Sequence, residues 1–98
     1  MRVTIMSRQE CHLCHVVARV AAQVQEDLAF SLAIVDIDAD QHLREQYENR
    51  IPVILLDDQE VLSGKVTGGE LRKAIKKARW RNPISRILSR VKLALTRG

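Results

Sequence analysis

The sequence predicts one α/β domain: a four-stranded mixed sheet flanked by helices in the order β-α-β-α-β-β-α, followed by a basic amphipathic C-terminal helix. Three observations carry this. Short β-branched or apolar runs alternate with stretches whose apolar residues recur at helical spacing, the signature of strand and helix in turn. Late in the chain two such runs stand side by side with only a short polar turn between them, which fits a hairpin and makes the sheet mixed. A chain of 98 residues can build one core and is short for two.

The elements follow in order. Arg2–Met6 is short and β-branched, with Val3 and Ile5 alternating against Thr4, and reads as the first strand. Polar Ser7–Glu10 interrupts it. Leu13, Val17, Val20, Val24 and Leu28 then recur at helical spacing. Phe30–Ile37 is the second strand. Asp38 and Asp40 are placed to supply the N-cap of a short helix, roughly Asp40–Tyr47. Pro52–Leu56 is apolar throughout, as expected of a central strand covered on both faces. Asp57–Gln59 is a turn, and Glu60–Ser63 returns as the fourth strand. Gly68-Gly69 is expected to break the chain before a helix over Glu70–Arg79, which Pro83 keeps from continuing. Residues 1–79 are assigned to the domain and 80–98 to a basic extension.

The composition is that of a soluble globular protein, with 46% hydrophobic and 29% charged residues, and it excludes intrinsic disorder. The net charge is +4, unevenly placed. Residues 1–60 hold 5 basic and 11 acidic side chains, a net of −6, whereas residues 61–98 hold 11 basic and 1 acidic, a net of +10. No run resembles a signal peptide. The longest charge-free apolar run is about 8 residues, against the roughly 18 a spanning helix requires. The expectation is a cytoplasmic protein, in a compartment where thiols stay reduced.

The sharpest feature is Cys11-His12-Leu13-Cys14, between a strand and a helix. At a helix N-terminus the unpaired backbone N–H groups and the helix dipole favour an anion, which lowers the pKa of the first cysteine and populates the reactive thiolate. Three residues make nearly one turn, so the second sulfur comes beside the first. Cys11 is thus a candidate nucleophile and Cys14 a candidate resolving thiol, the chemistry of a thiol–disulfide oxidoreductase. Other readings stay open on these residues. Cys11, His12, Cys14 and His15 are rich in zinc-ligand types, although one CxxC supplies only half of a structural zinc site, and the string matches the C-x-x-C-H of haem attachment. Two inert core cysteines are also possible on spacing alone, as is a non-enzymatic binding module. The spacing of Asp36, Asp38 and Asp40 is better suited to helix capping than to a cation loop, because the Gly and terminal Glu of such a loop are missing.

Taken together, the strand "VTIMSRQ", the "CHLC" at a helix start, "VDIDAD", "RIPVILLDDQEVLSG" and the closing "GGELRKAI" resemble the glutaredoxin-like family of the thioredoxin superfold over about residues 2–78. The resemblance implies a thioredoxin-like fold with Pro52 as the cis-proline facing the Cys11–Cys14 disulfide. It also implies that the Ile51 backbone is open to a disulfide-containing protein or a glutathione mixed disulfide by strand addition. Glutathione would be a reductant or co-substrate, and no prosthetic group or metal is required. His12-Leu13 between the cysteines is neither the Gly-Pro of typical thioredoxins nor the Pro-Tyr of typical glutaredoxins, and Glu10 stands where thioredoxins carry tryptophan. Ser63-Gly64 and Gly68-Gly69-Glu70 are the segments that could meet one end of glutathione.

Three further side chains join the candidate site. A protonated His12 near Cys11 would favour its thiolate. Arg8 and Arg50 would flank the site and could meet a substrate carboxylate. In the extension, Ile84, Ile87, Leu88, Val91 and Leu95 form one stripe with Arg86 and Arg90 off it. Its expected use is to cover the domain or extend from it, with a membrane surface or a protein partner as alternatives. Nucleic acid is not expected, because the aromatics are only Phe30, Tyr47 and Trp80 and no base-reading motif accompanies the charge. The protein is expected to be a monomer.

Overall fold

A computed structural model describes residues 1–81. Of the basic helical extension expected over residues 80–98, residues 80 and 81 belong to the last described helix and residues 82–98 lie outside the described residues. The elements are β1 (Arg2–Ser7), α1 (His12–Gln25), β2 (Ser31–Asp36), a single 3₁₀ turn (Ile37–Ala39), α2 (Gln41–Tyr47), β3 (Val53–Leu56), β4 (Gln59–Ser63) and α3 (Gly68–Arg81). The strand order is β2-β1-β3-β4. β1 and β2 are parallel, and the β1–β3 and β3–β4 pairs are antiparallel. The sheet is therefore mixed, with β1 and β3 in the middle.

The two faces of the sheet carry separate cores, and the alternation of side chains along the central strands explains why. Val3 and Ile5 of β1, with Ile54 and Leu56 of β3, pack against Val17, Ala21 and Val24 of α1 and Leu71 and Ile75 of α3. On the other face, Met6, Val53 and Leu55 pack with Ile37 and Tyr47 beneath α2. All four residues of β3 are buried, as expected of a strand covered on both sides. In β4 a register shift between Ile54 and Leu55 inserts one extra residue. Consecutive Val61 and Leu62 both pack on the α1/α3 core as a result, which a regular pleat does not permit.

The helix starts are set by side chains. Asp40 accepts from the His42 N–H at 2.7 Å and the Leu43 N–H at 3.4 Å. Asp36 caps the 3₁₀ turn by accepting from the Asp38 N–H at 2.9 Å. The start of α3 differs from the sequence expectation. Gly68 and Gly69 are its first residues rather than a break before it, because Thr67 and Glu70 form a reciprocal capping box: the Glu70 N–H donates to Thr67 Oγ1 and the Thr67 N–H to Glu70 Oε1, both at 3.1 Å. At the other end α3 continues past Arg79 to Arg81, the last described residue.

The β3–β4 connection turns on Asp57 and Asp58, both left-handed at φ 48° and 72°. Two positive φ angles are what a tight hairpin needs to match the twist of its strands. Asp57 also ties the turn to β1, its side chain accepting from the Arg2 N–H at 2.8 Å and its own N–H donating to Arg2 O at 2.9 Å. At the opposite end of the sheet, β1 finishes at Ser7, and a three-residue loop leads to Cys11.

Candidate functional site

The loop Arg8–Glu10 turns tightly, and the Cys11 N–H donates to Arg8 O at 3.2 Å. Cys11 is extended, at φ −100° and ψ 103°, and is the N-cap of α1. A serine or aspartate oxygen usually fills that position. Here the Cys11 sulfur does so, accepting the Cys14 N–H at 3.1 Å. Cys11 and Cys14 form a disulfide with their Cα atoms 5.2 Å apart, inside the usual range for such bridges. The two sulfurs differ in access. Cys11 is partly exposed, whereas Cys14 is fully buried in the first turn of α1.

The Ile51–Pro52 peptide bond is cis. Met6 pairs with Val53, so the register carries Ser7 and Pro52 together to the end of the sheet from which the loop runs to Cys11. Pro52 is fully buried, and its carbonyl accepts the Gly64 N–H at 2.8 Å. Ile51 is half-buried against the α2-side core.

Arg8 and Arg50 are both held by acids of the chain itself. Arg8 places two nitrogens on the Asp38 carboxylate, Nε at 2.9 Å and Nη2 at 3.0 Å, with Glu48 at 3.9 Å. The hydrogen bond to Asp38 raises the guanidinium pKa above its already high value, so Arg8 is a fixed cation. Arg50 pairs with Glu60, donates to Gln46 O at 3.3 Å and lies over the Tyr47 ring, 5.2 Å from its centroid. His12 is the first residue of α1 and is exposed, as is His15. Glu70, suggested for one end of glutathione, is engaged in the α3 capping box.

Beside the loop lies an open hollow of about 380 Å³ lined by Arg8, Gln9, Glu10, Asp36 and Asp38. A larger one, of about 980 Å³, lies away from the dithiol, between the β3–β4 hairpin and α3. Asp38, expected to cap a helix, instead gives its carboxylate to Arg8; its partner is 30 residues away, and only the tertiary fold brings the two together. Among the described residues no three His, Cys, Asp or Glu side chains converge as a metal site, and no helix is long and apolar enough to cross a membrane.

A mixed β2-β1-β3-β4 sheet with a cysteine pair at the start of its first helix defines a thioredoxin-fold protein. A mutant thioredoxin from Halobacterium salinarum superposes with a TM-score of 0.60 at 22% identity, over 78% of this chain and 72% of that one, a likeness of fold. The protein XcR50 from X. campestris is more similar, at TM-score 0.67 and 28% identity, covering 76% of this chain and 96% of that one. In sequence, the uncharacterized protein Rv0508 of Mycobacterium tuberculosis is 29% identical over 87 residues, 84% of this chain and 90% of the relative. The profile of the Glutaredoxin-like domain (DUF836) matches residues 2–76. The chain belongs to this glutaredoxin-like family of the thioredoxin superfold.

Proposed function

We propose that the protein is a thiol–disulfide oxidoreductase in which Cys11 is the nucleophile and Cys14 the resolving thiol. The observation that carries this reading is the Cys11 sulfur at the N-cap of α1, accepting the Cys14 N–H at 3.1 Å. A sulfur there meets a backbone donor and the positive end of the helix dipole, both of which favour a thiolate. The asymmetric access of the pair fits the two roles: the partly exposed sulfur meets substrate, and the buried one resolves.

In the reduced protein the Cys11 thiolate attacks one sulfur of a substrate disulfide. The substrate S–S bond breaks, one thiolate leaves and takes up a proton, and a mixed disulfide forms on Cys11. Cys14 loses its proton and attacks Cys11 Sγ, expelling the second substrate thiolate. The substrate gains two electrons and two protons as two thiols, and the protein retains the Cys11–Cys14 disulfide. A thiol reductant, with glutathione one candidate, restores the dithiol by the same exchange in reverse. An extended substrate segment is proposed to align on the Ile51 backbone, at the end of the sheet that leads to Cys11. The reading suits a reducing cytoplasmic setting.

The test uses pre-reduced protein and the neutral bis(2-hydroxyethyl) disulfide. The wild type should release thiol from it, Cys11→Ser should not, and Cys14→Ser should stop at the mixed disulfide. A wild type that releases no more thiol than Cys11→Ser overturns the reading.

A further inference from the structure

We propose that β2 is an assembly edge: two copies of this chain pair antiparallel along β2, about a two-fold axis beside Ala33, to make one continuous sheet. The order β2-β1-β3-β4 leaves two strands with an unpaired side, and they are not alike. Edges are normally blunted by charge, proline or a bulge. β4 has such protection, in Gln59, Glu60 and the extra residue of its bulge. β2 has none within it. It reads Ser-Leu-Ala-Ile-Val-Asp, with no proline and no charge before Asp36, and its register with β1 is unbroken from Ser31 to Asp36.

The backbone shows which groups are free. The Ser31 N–H donates to Met1 O at 3.0 Å. In the parallel register of Ser31 with Arg2, this turns the N–H and C=O of Ser31, Ala33 and Val35 toward β1. Those of Leu32 and Ile34 therefore point outward. Ile34 is also the most exposed large apolar side chain among the described residues, at 55%. It shares a face of the sheet with Leu32, which packs at the margin of the α1/α3 core.

The strand selects an inverted copy of itself as occupant. The two faces of the sheet stay matched across an antiparallel pair only when residues of the same face stand opposite each other. Placing Ala33 opposite its own copy sets Leu32 opposite Ile34 of the second copy. The residues with free backbone groups then exchange hydrogen bonds, and their apolar side chains cover each other. The same register sets Asp36 opposite Phe30 of the second copy. Arg79 Nη2 donates to Ala29 O at 2.7 Å, which holds a guanidinium at that end of β2. Neither Asp36 nor Arg79 has an ion-pair partner among the described residues, and Asp27 nearby is neutralised by Arg72 at 2.6 Å. One end of the edge is thus acidic and the other basic, and two-fold symmetry makes the match of Asp36 with Arg79 twice. Ser7 pairs with Asp36 and leads to Cys11, so the two dithiols stand at opposite ends of the joined sheet.

The experiment is sedimentation equilibrium of the full-length oxidised protein over a wide range of concentration. A monomer–dimer equilibrium is expected. Ile34→Lys should raise the dissociation constant about tenfold or more, through the loss of apolar burial on both copies. Its urea midpoint in dilute solution should not change. Asp36→Asn keeps an oxygen for the Asp38 N–H but removes the charge, and should weaken the pair about threefold. Cross-linking reads the register. With Cys11 and Cys14 replaced by serine, Ala33→Cys should join two copies by a disulfide, because opposed residues without hydrogen bonds between them have Cα atoms about 4.5 Å apart. Ile34→Cys should link far more slowly. A monomer at every concentration overturns the proposal, as does a dimer that Ile34→Lys leaves intact or that Ala33→Cys fails to lock. So do Leu32 and Ile34 amides already protected from hydrogen exchange in the monomer, since the chain would then fill this edge itself. Binding of a foreign strand by a protein that stays monomeric overturns it too.

Discussion

Arg8 joins two parts of the chain that must stay in register: its guanidinium grips Asp38 through two hydrogen bonds of 2.9 and 3.0 Å, while its own carbonyl accepts the Cys11 N–H. The residue that shapes the loop before the dithiol is thereby fastened to the turn after β2. Asp38 is itself placed by the Asp36 cap on its N–H.

Arg8→Ala should therefore slow the reaction of reduced Cys11 with a neutral disulfide by roughly tenfold, since small misplacements of a reacting group are costly. The urea midpoint should move little, because a solvent-accessible ion pair adds little to stability. Asp38→Ala should reproduce the effect, and the double variant should be no slower than either single one. Additive losses in the double variant would show that the pair does not act as a unit.

The cap geometry makes a prediction for the thiols. On reduction, iodoacetamide should label Cys11 well before Cys14, as followed by mass spectrometry. The pH midpoint for labelling Cys11 should lie below the ~8.5 of a free thiol. A helix N-terminus stabilises the thiolate, so reactivity appears at lower pH. Equal labelling of the two cysteines would contradict the assigned roles.

Stability rests on the α1/α3 core. Ile75→Ala removes a fully buried side chain from α3 and should cost about 2–5 kcal/mol. The change is read from urea unfolding of the oxidised protein. Thr67→Ala and Asp40→Ala each remove a helix cap and should cost about 1 kcal/mol.

The hairpin turn admits a stabilising change. Asp58 sits at φ 72°, where glycine meets no steric penalty. Asp58→Gly should raise stability by about 0.5 kcal/mol. The lost ion pair to Arg2, between side chains 55% and 82% exposed, subtracts little. A lower thermal midpoint would mean that the Asp58 carboxylate matters more than its backbone.

Strand and helix identities, the two-sided burial of β3, the capping by Asp40 and the cysteine pair at a helix start were all legible in the sequence. Each is a local matter: a period of two or of 3.6, a side-chain oxygen one residue before a helix, two thiols one turn apart. The α3 start was equally local, since Thr67 and Glu70 stand at capping-box spacing, but the glycine pair between them reads more strongly as a break. The β4 bulge left no such mark, because an extra residue is defined only against the partner strand.

The charge and the site divide along the same line. By itself the sequence determined that the excess of cations belongs to residues 61–98 and that the thiols are three apart. Tertiary structure alone decided that Arg8 and Arg50 are paired within the fold, and that Arg72 and Arg79 hold α3 to the domain while Lys73, Lys76 and Lys77 are exposed. Spacing along a chain fixes neighbours only within a turn or two. Pairings across 30 to 50 residues depend on which faces of the sheet the helices cover, a choice made by burying both apolar faces at once.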